Sequence, residues 1–158
     1  MARAKSAIPE GFYTVTPILT IDGTQAALDW YERALGAVVL SKHTGPDRKI
    51  THAEVRIGNS KLMLHDPMMD AKTLQLSGSP IGLWIYVEDC DVLFARAKKA
   101  GGSISMPMED QFWGDRCGSI TDPFGLNWII ATRKEDLTRA ELDARQAEFF
   151  EQMAVKVR

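Results

Sequence analysis

Thr14-Val-Thr-Pro-Ile-Leu-Thr-Ile21, followed by Thr24-Gln-Ala-Ala-Leu-Asp-Trp-Tyr-Glu-Arg-Ala-Leu35 and then Gly36, is the stretch on which the fold turns. Its first part alternates as a strand does, and Ala27, Leu28, Tyr31 and Leu35 recur at helical spacing before a glycine stop. The same order returns 66 residues later: Leu83-Trp-Ile-Tyr-Val87 leads into Cys90-Asp-Val-Leu-Phe-Ala-Arg-Ala-Lys-Lys-Ala100 and Gly101-Gly102. In this second helix Val92, Leu93, Ala97 and Ala100 form the stripe. Each helix precedes three strand-like runs, Val38 to Lys42, Ile50 to Ile57 and Lys61 to Asp66 in the first half, and Ser103 to Met106, Cys117 to Thr121 and Asn127 to Thr132 in the second. Turn signals at Gly58-Asn59 and Asp122-Pro-Phe-Gly125 occupy matching places before the last strand of each half. A repeat of this length sets the architecture before any single residue is weighed. The prediction is an α+β chain of two βαβββ modules, about 11–66 and 81–132, forming one domain over residues 1–158.

Strands alternate their faces, so each run sorts into a helix-facing set and an opposite set. Ala53, Val55 and Ile57 oppose His52, Glu54 and Arg56; Leu83, Ile85 and Val87 oppose Gly82, Trp84 and Tyr86. With the helices on the apolar side, the polar and aromatic side becomes the concave face of a curved sheet, where a ligand would sit. Pro67 to Pro80 reads as the join between modules. A capping box, Thr138-Arg-Ala-Glu141, opens a C-terminal helix over about 138–153, with Leu142, Gln146, Phe149, Phe150 and Met153 as an approximate stripe. Burying Phe149 and Phe150 contributes about 1.5–3 kcal/mol each, so this helix is expected to dock on its own domain or on a partner subunit.

Length and composition fit this reading. At 158 residues the chain can hold a core without staples. A formal net charge of −2 gives no electrostatic case for nucleic acid or an anionic membrane, and no window of 18 apolar residues suggests a membrane span. Cys90 and Cys117 lie far apart and outside any CxxC pattern, which argues against a disulfide framework or a thiolate zinc site and for a reducing, cytoplasmic location.

The paired modules, the Leu28-Asp-Trp-Tyr-Glu-Arg-Ala-Leu-Gly-Ala37 helix end, and Gln111-Phe-Trp-Gly-Asp-Arg116 followed by Asp122-Pro-Phe-Gly125 resemble the glyoxalase/bleomycin-resistance, or vicinal oxygen chelate, superfamily, and within it the PhnB-like glyoxalase branch. The resemblance runs from about Gly11 to Leu137. It implies a homodimer whose modules curve a mixed sheet into a half-barrel with helices outside, and either metal-dependent isomerase, dioxygenase or transferase chemistry or metal-free binding of small molecules. Metal-dependent members take ligands from inward positions on the first and last strand of each module. Carried over, those positions are Thr16, Met63, Gly82 and Ile129, none of which supplies a good donor for a divalent metal, so no metal or other cofactor is expected there.

The remaining candidates are read from the residues. His52, Glu54 and His65 fall on the concave side, where they read as polar ligand-binding residues, hydrogen-bonded inside a wet cavity or at its rim, and as the fallback set for a divalent metal, with Glu54 the candidate catalytic acid/base. His43, beside Thr44-Gly-Pro-Asp-Arg48, reads as a solvated loop residue. Trp84, Tyr86 and Trp113 can stack on a planar ligand or fill the core, whereas Trp128 falls on the helix-facing register. Arg116 can hold a ligand anion or pair with Asp115, Asp122 or a carboxylate across a dimer. Cys117 has no activating partner in sequence. Two functional classes follow: a metal-free protein that binds a small organic molecule, and a lyase, isomerase or dioxygenase acting on vicinal oxygens. Lactoylglutathione lyase activity is not expected, because the glutamates that would hold its Lewis acid are missing.

Overall fold

The computed structural model describes residues 6–68 and 79–156. The chain divides into two compact units, Met1–Ser79 and Pro80–Arg158, each carrying one module. Residues 69–78, most of the expected join, lie outside the described residues.

Unit one runs β1 (Ile18–Thr20), α1 (Thr24–Leu35), β2 (Val38–Thr44), β3 (Ile50–Ile57) and β4 (Ser60–His65). The sheet order is β1-β4-β3-β2, with β1 parallel to β4 and the other pairs antiparallel. Helix α1 buries Ala27, Leu28, Tyr31 and Leu35 as the periodicity requires, and also Trp30 and Ala34. The facing strand residues Ala53, Val55, Leu62 and Leu64 are buried as well, each large aliphatic contributing about 1.5–3 kcal/mol at most. Gly36 ends the helix at φ 68°, a left-handed conformation glycine adopts without strain.

Unit two repeats the plan: β5 (Gly82–Tyr86), α2 (Cys90–Lys99), β6 (Ser103–Asp110), β7 (Asp115–Thr121) and β8 (Asn127–Arg133), in the order β5-β8-β7-β6. Phe94, Ala97, Ile120, Trp128 and Ile130 form its core. Strand β7 can lie this close to α2 because residue 118 is glycine; a Cβ there would come within 2.8 Å of the Phe94 ring. Helix α3 (Arg139–Lys156) follows, opened by the expected capping box, with the Thr138 backbone N–H donating to Glu141 Oε2 at 2.8 Å. Among the described residues no helix is long and apolar enough to cross a membrane.

Three expectations need correction. Strand β1 starts at Ile18 rather than Thr14, because Pro17 has no N–H for the ladder, although its carbonyl still accepts from the Met63 N–H at 2.9 Å. His43 belongs to β2, opposite His52, and is not a loop residue. The buried stripe of α2 is Cys90, Phe94 and Ala97, with Val92 exposed, rather than Val92, Leu93, Ala97 and Ala100. Helix α3 docks on its own unit through Phe149, which packs on the Phe112 ring with centroids 5.0 Å apart, while Phe150, 58% exposed, Met153 and Val155 face outward in the single chain.

Each helix start is fastened to the end of its module's last strand. Gly23, the N-cap of α1, offers no side chain, so the buried carboxylate of Asp66, just past β4, accepts from Gly23 N–H (3.0 Å), Thr24 N–H (2.9 Å) and Ile50 N–H (2.7 Å). Its counterpart 66 residues on is Thr132, whose hydroxyl accepts from Cys90 N–H at 2.9 Å and donates to Val87 O at 2.8 Å. Burial by itself raises the Asp66 pKa, but the three backbone donors outweigh it and hold the carboxyl below the usual range. A depressed folded pKa stabilises the protein above the unfolded value, near pH 4, and that contribution fades as pH falls through the folded pKa. We therefore expect Asp66→Ala to cost about 2–4 kcal/mol in urea denaturation at pH 7, from three lost charge-assisted bonds, and the difference from wild type to narrow between pH 5 and pH 2. A pH-independent difference would assign the loss to packing instead.

Candidate functional site

The metal positions carried over from the resemblance lack metal-binding side chains in each unit. Thr16 lies before β1 and its hydroxyl donates to Tyr13 O; the parallel register instead places Ile18 beside Met63 and Thr20 beside His65. In unit two Gly82 pairs with Asn127 and Trp84 with Ile129. Thioether, aliphatic and glycine positions give a hard or borderline divalent cation nothing to bind, so the donor chemistry does not fit a resident metal.

The fallback set fares no better, since among the described residues no three His, Cys, Asp or Glu side chains converge on a point that could hold a metal. His52 Nε2 lies 3.5 Å from Glu54 Oε1, and its ring is 6.3 Å from that of His43. His65 is occupied elsewhere. Its Nδ1 must donate to the Asp66 carbonyl at 2.8 Å, and its Nε2 pairs with the Thr20 hydroxyl at 3.0 Å. The sequence places His52, Glu54 and His65 on one face; the structure engages them with different neighbours. Glu54, the candidate acid/base, has His52 as its ionisable contact.

Unit two carries the more developed surface. On the sheet face turned away from α2, Trp84 and Tyr86 are 45% and 60% exposed, their ring centroids 5.9 Å apart and tilted by 38°. Trp128, on the other register, is buried and donates from Nε1 to Asp122 at 2.9 Å. The Tyr86 hydroxyl donates to Asp115 Oδ2 at 2.7 Å, and the same carboxylate accepts from Trp113 Nε1 (3.2 Å) and from Arg133 (3.4 Å). Asp115, almost wholly buried, thus fixes two of the three candidate aromatics. Its hydrogen bond holds the Tyr86 phenol above the ordinary tyrosine value, with desolvation and the negative charge of Asp115 acting in the same direction. Trp113 stands edge-on to Phe112, which in turn meets Phe149 of α3.

Arg116 points to the other side of β7. It forms a two-pronged pair with Asp91 of α2, Nε to Oδ2 and Nη2 to Oδ1 both at 2.8 Å, and reaches Asp110 at 3.2 Å. These are not the Asp115 or Asp122 partners expected from sequence, and they raise the guanidinium pKa further. A cleft of about 270 Å³ beside it is lined by Asp110, Gln111, Gly114, Asp115, Arg116, Lys134 and Glu135, somewhat smaller than pockets for drug-sized ligands. Cys117 is buried, and desolvation with the Asp115 charge pushes its thiol up, away from nucleophilic use. Asp115 and Arg133 were missed in the sequence. Alternation from Arg116 puts Asp115 on the opposite face, a signal hidden by reading Trp113 to Arg116 as one motif.

Comparison with known proteins bears on the family and the fold. Residues 14–130 match the Glyoxalase/Bleomycin resistance protein/Dioxygenase superfamily. An uncharacterised protein of Mycobacterium bovis is 36% identical over 136 residues, covering 82% of this chain and 90% of its own. Two solved structures share the fold: TioX from Micromonospora sp. ML1, at TM-score 0.62 and 24% identity, covering 80% of this chain and 100% of that one, and a PhnB protein from Bacillus cereus, at TM-score 0.62 and 17% identity, covering 76% and 99%.

The Asp115 junction makes a spectroscopic prediction. The raised Tyr86 pKa means that its hydrogen bond stabilises the fold below about pH 10 and is lost as pH rises through the raised value. Asp115→Ala should bring Tyr86 ionisation, followed as phenolate absorbance against a Tyr86→Phe control, back toward lower pH, and should cost about 1 kcal/mol per hydrogen bond removed, since the part-buried Tyr86 and Trp113 donors can turn to water. An unshifted phenolate transition would show that Asp115 does not hold Tyr86 in solution.

Proposed function

The chain belongs to the Glyoxalase/Bleomycin resistance protein/Dioxygenase superfamily, and from that premise we propose that it is a small-molecule-binding member, working as a homodimer in the cytoplasm without a resident metal. The observation that carries this reading is the pairing of donor-poor family positions, Met63, Gly82 and Ile129, with the half-exposed rings of Trp84 and Tyr86 on one sheet face. A face of this kind offers stacking area, while the chemistry of the metal-dependent members needs a Lewis acid that these side chains do not hold. Trp84, Tyr86 and Trp113 are the side chains of the proposed binding surface, with Asp115 orienting Tyr86 and Trp113. Arg116, committed to Asp91 and Asp110, serves the fold rather than the ligand. Support for the dimer comes from α3, whose Phe150, Met153 and Val155 would be covered by a second copy. The two buried, unpaired thiols suit a reducing compartment.

Elemental analysis of tag-free protein, before and after incubation with Zn²⁺, Ni²⁺, Mn²⁺ and Fe²⁺ and desalting, should find no stoichiometric metal. A planar aromatic probe should quench tryptophan fluorescence in wild type and not in Trp84→Ala, and light scattering should give twice the chain mass. One metal per chain, lost in the His52→Ala, His65→Ala double variant, would replace this reading with metal-dependent chemistry at that face.

A further inference from the structure

Tyr86 and its surroundings point to the charge of the ligand. The Tyr86 hydroxyl proton is committed to Asp115 at 2.7 Å, so toward solvent the phenol presents only acceptor lone pairs and a π face. The positive group on this side, Arg133, is shared between two carboxylates, Asp115 and Asp136, each at 3.4 Å. Arg133 is thus drawn away toward the exposed Asp136 and stands 3.4 Å from Asp115, while the Tyr86 hydroxyl touches the Asp115 carboxylate at 2.7 Å, so the charge in contact with the phenol is negative. Trp84, tilted 38° to Tyr86, adds a second electron-rich face that opens to solvent. Two inclined rings backed by a buried carboxylate attract a cation through the ring quadrupoles and the local field, whereas the indole N–H of Trp84 is a neutral donor and gives an anion no charge to pair with.

Resting on the binding reading above, we propose that the Trp84–Tyr86 face takes a planar aromatic or apolar molecule bearing a positively charged, hydrogen-bond-donating nitrogen, with the nitrogen at the Tyr86 oxygen and the flat body on Trp84. This differs from the oxygen-rich, anionic substrates that a metal centre would bind. It also assigns separate roles to the two rings, Trp84 for area and Tyr86 for charge preference.

The test uses three probes of one shape, 1-naphthylmethylammonium, 1-naphthylmethanol and 1-naphthylacetate, titrated into the full-length protein by calorimetry at low and high NaCl. The ammonium should bind about threefold to thirtyfold more tightly than the alcohol, the carboxylate more weakly than either, and the spread should shrink in high salt. Trp84→Ala should weaken all three, whereas Tyr86→Phe, which keeps the ring and removes the acceptor oxygen, should narrow the ammonium preference and leave the carboxylate unchanged. A carboxylate that binds as tightly as the ammonium overturns the proposal. Equal binding of all three overturns it too but leaves the binding reading intact, and no binding of any probe removes both. Should the variants not fold, the salt dependence of the three wild-type affinities still decides.

Discussion

The structure depends on how each module closes the start of its helix against the end of its last strand. An α-helix exposes four unpaired N–H groups at its N-terminus, and in a βαβββ module those groups lie near the core, where leaving them unmet costs free energy. Helix α2 has a local remedy in Asp89, which accepts from Val92 N–H at 3.0 Å, so Thr132 need contribute only one further acceptor. Helix α1 begins after Gly23, which has no side chain, and the remedy comes from Asp66, far along the chain. The same carboxylate takes the first N–H of β3 and thereby sets where that strand begins. One residue type differs between the repeats because the local cap differs, and each choice follows from the donors left over.

In the motifs that carry the family resemblance, Asp122, Gly114 and Arg116 are explained by the same kind of accounting. In Asp122-Pro-Phe-Gly125 the Asp122 carboxylate accepts from Phe124 N–H, Leu126 N–H and Trp128 Nε1, each at 2.9 Å, which holds the turn and fixes the buried indole. Gly114 sits at φ 93°, and a Cβ there would lie 2.7 Å from the Glu135 carbonyl, so no other residue fits without movement. Arg116 clamps β7 to α2 through Asp91. Residues of this kind can persist while the ligand-contacting side chains change, which is why membership in a superfamily and the identity of a ligand are separate questions.

What the second module adds is a polar junction that organises an aromatic surface. Tyr86 and Trp113 meet at Asp115, and Trp113 passes the contact through Phe112 to Phe149 at the C-terminal helix. Buried networks of this sort fix geometry firmly when every member is satisfied. Among the described residues no buried side-chain nitrogen or oxygen lacks a partner, so the junction carries no unmet group. Beyond Phe149, α3 leaves Phe150, Met153 and Val155 exposed, and a helix of 18 residues gains little stability in water from its own hydrogen bonds.

The sequence by itself determined the two modules, their element order, the glycine stops and which face of each strand meets a helix. Ala53, Val55 and Leu83 against His52, Glu54 and Trp84 could be sorted because a strand's period of two and a helix's period of 3.6 are local properties of the backbone. Strand β3 was bounded correctly at Ile50 and Ile57 for the same reason. Partnership was decided only in three dimensions. That Asp66 reaches Gly23 and Ile50, that Arg116 takes Asp91 rather than Asp115, that His65 turns to Thr20 while His52 turns to Glu54, and that Asp115 joins Tyr86 to Trp113 are contacts between residues brought together by chain folding. Periodicity assigns a side chain to a face, but a hydrogen bond needs a donor and an acceptor within about 3 Å, and the distance between strands, helices and loops is set by packing rather than by spacing along the chain.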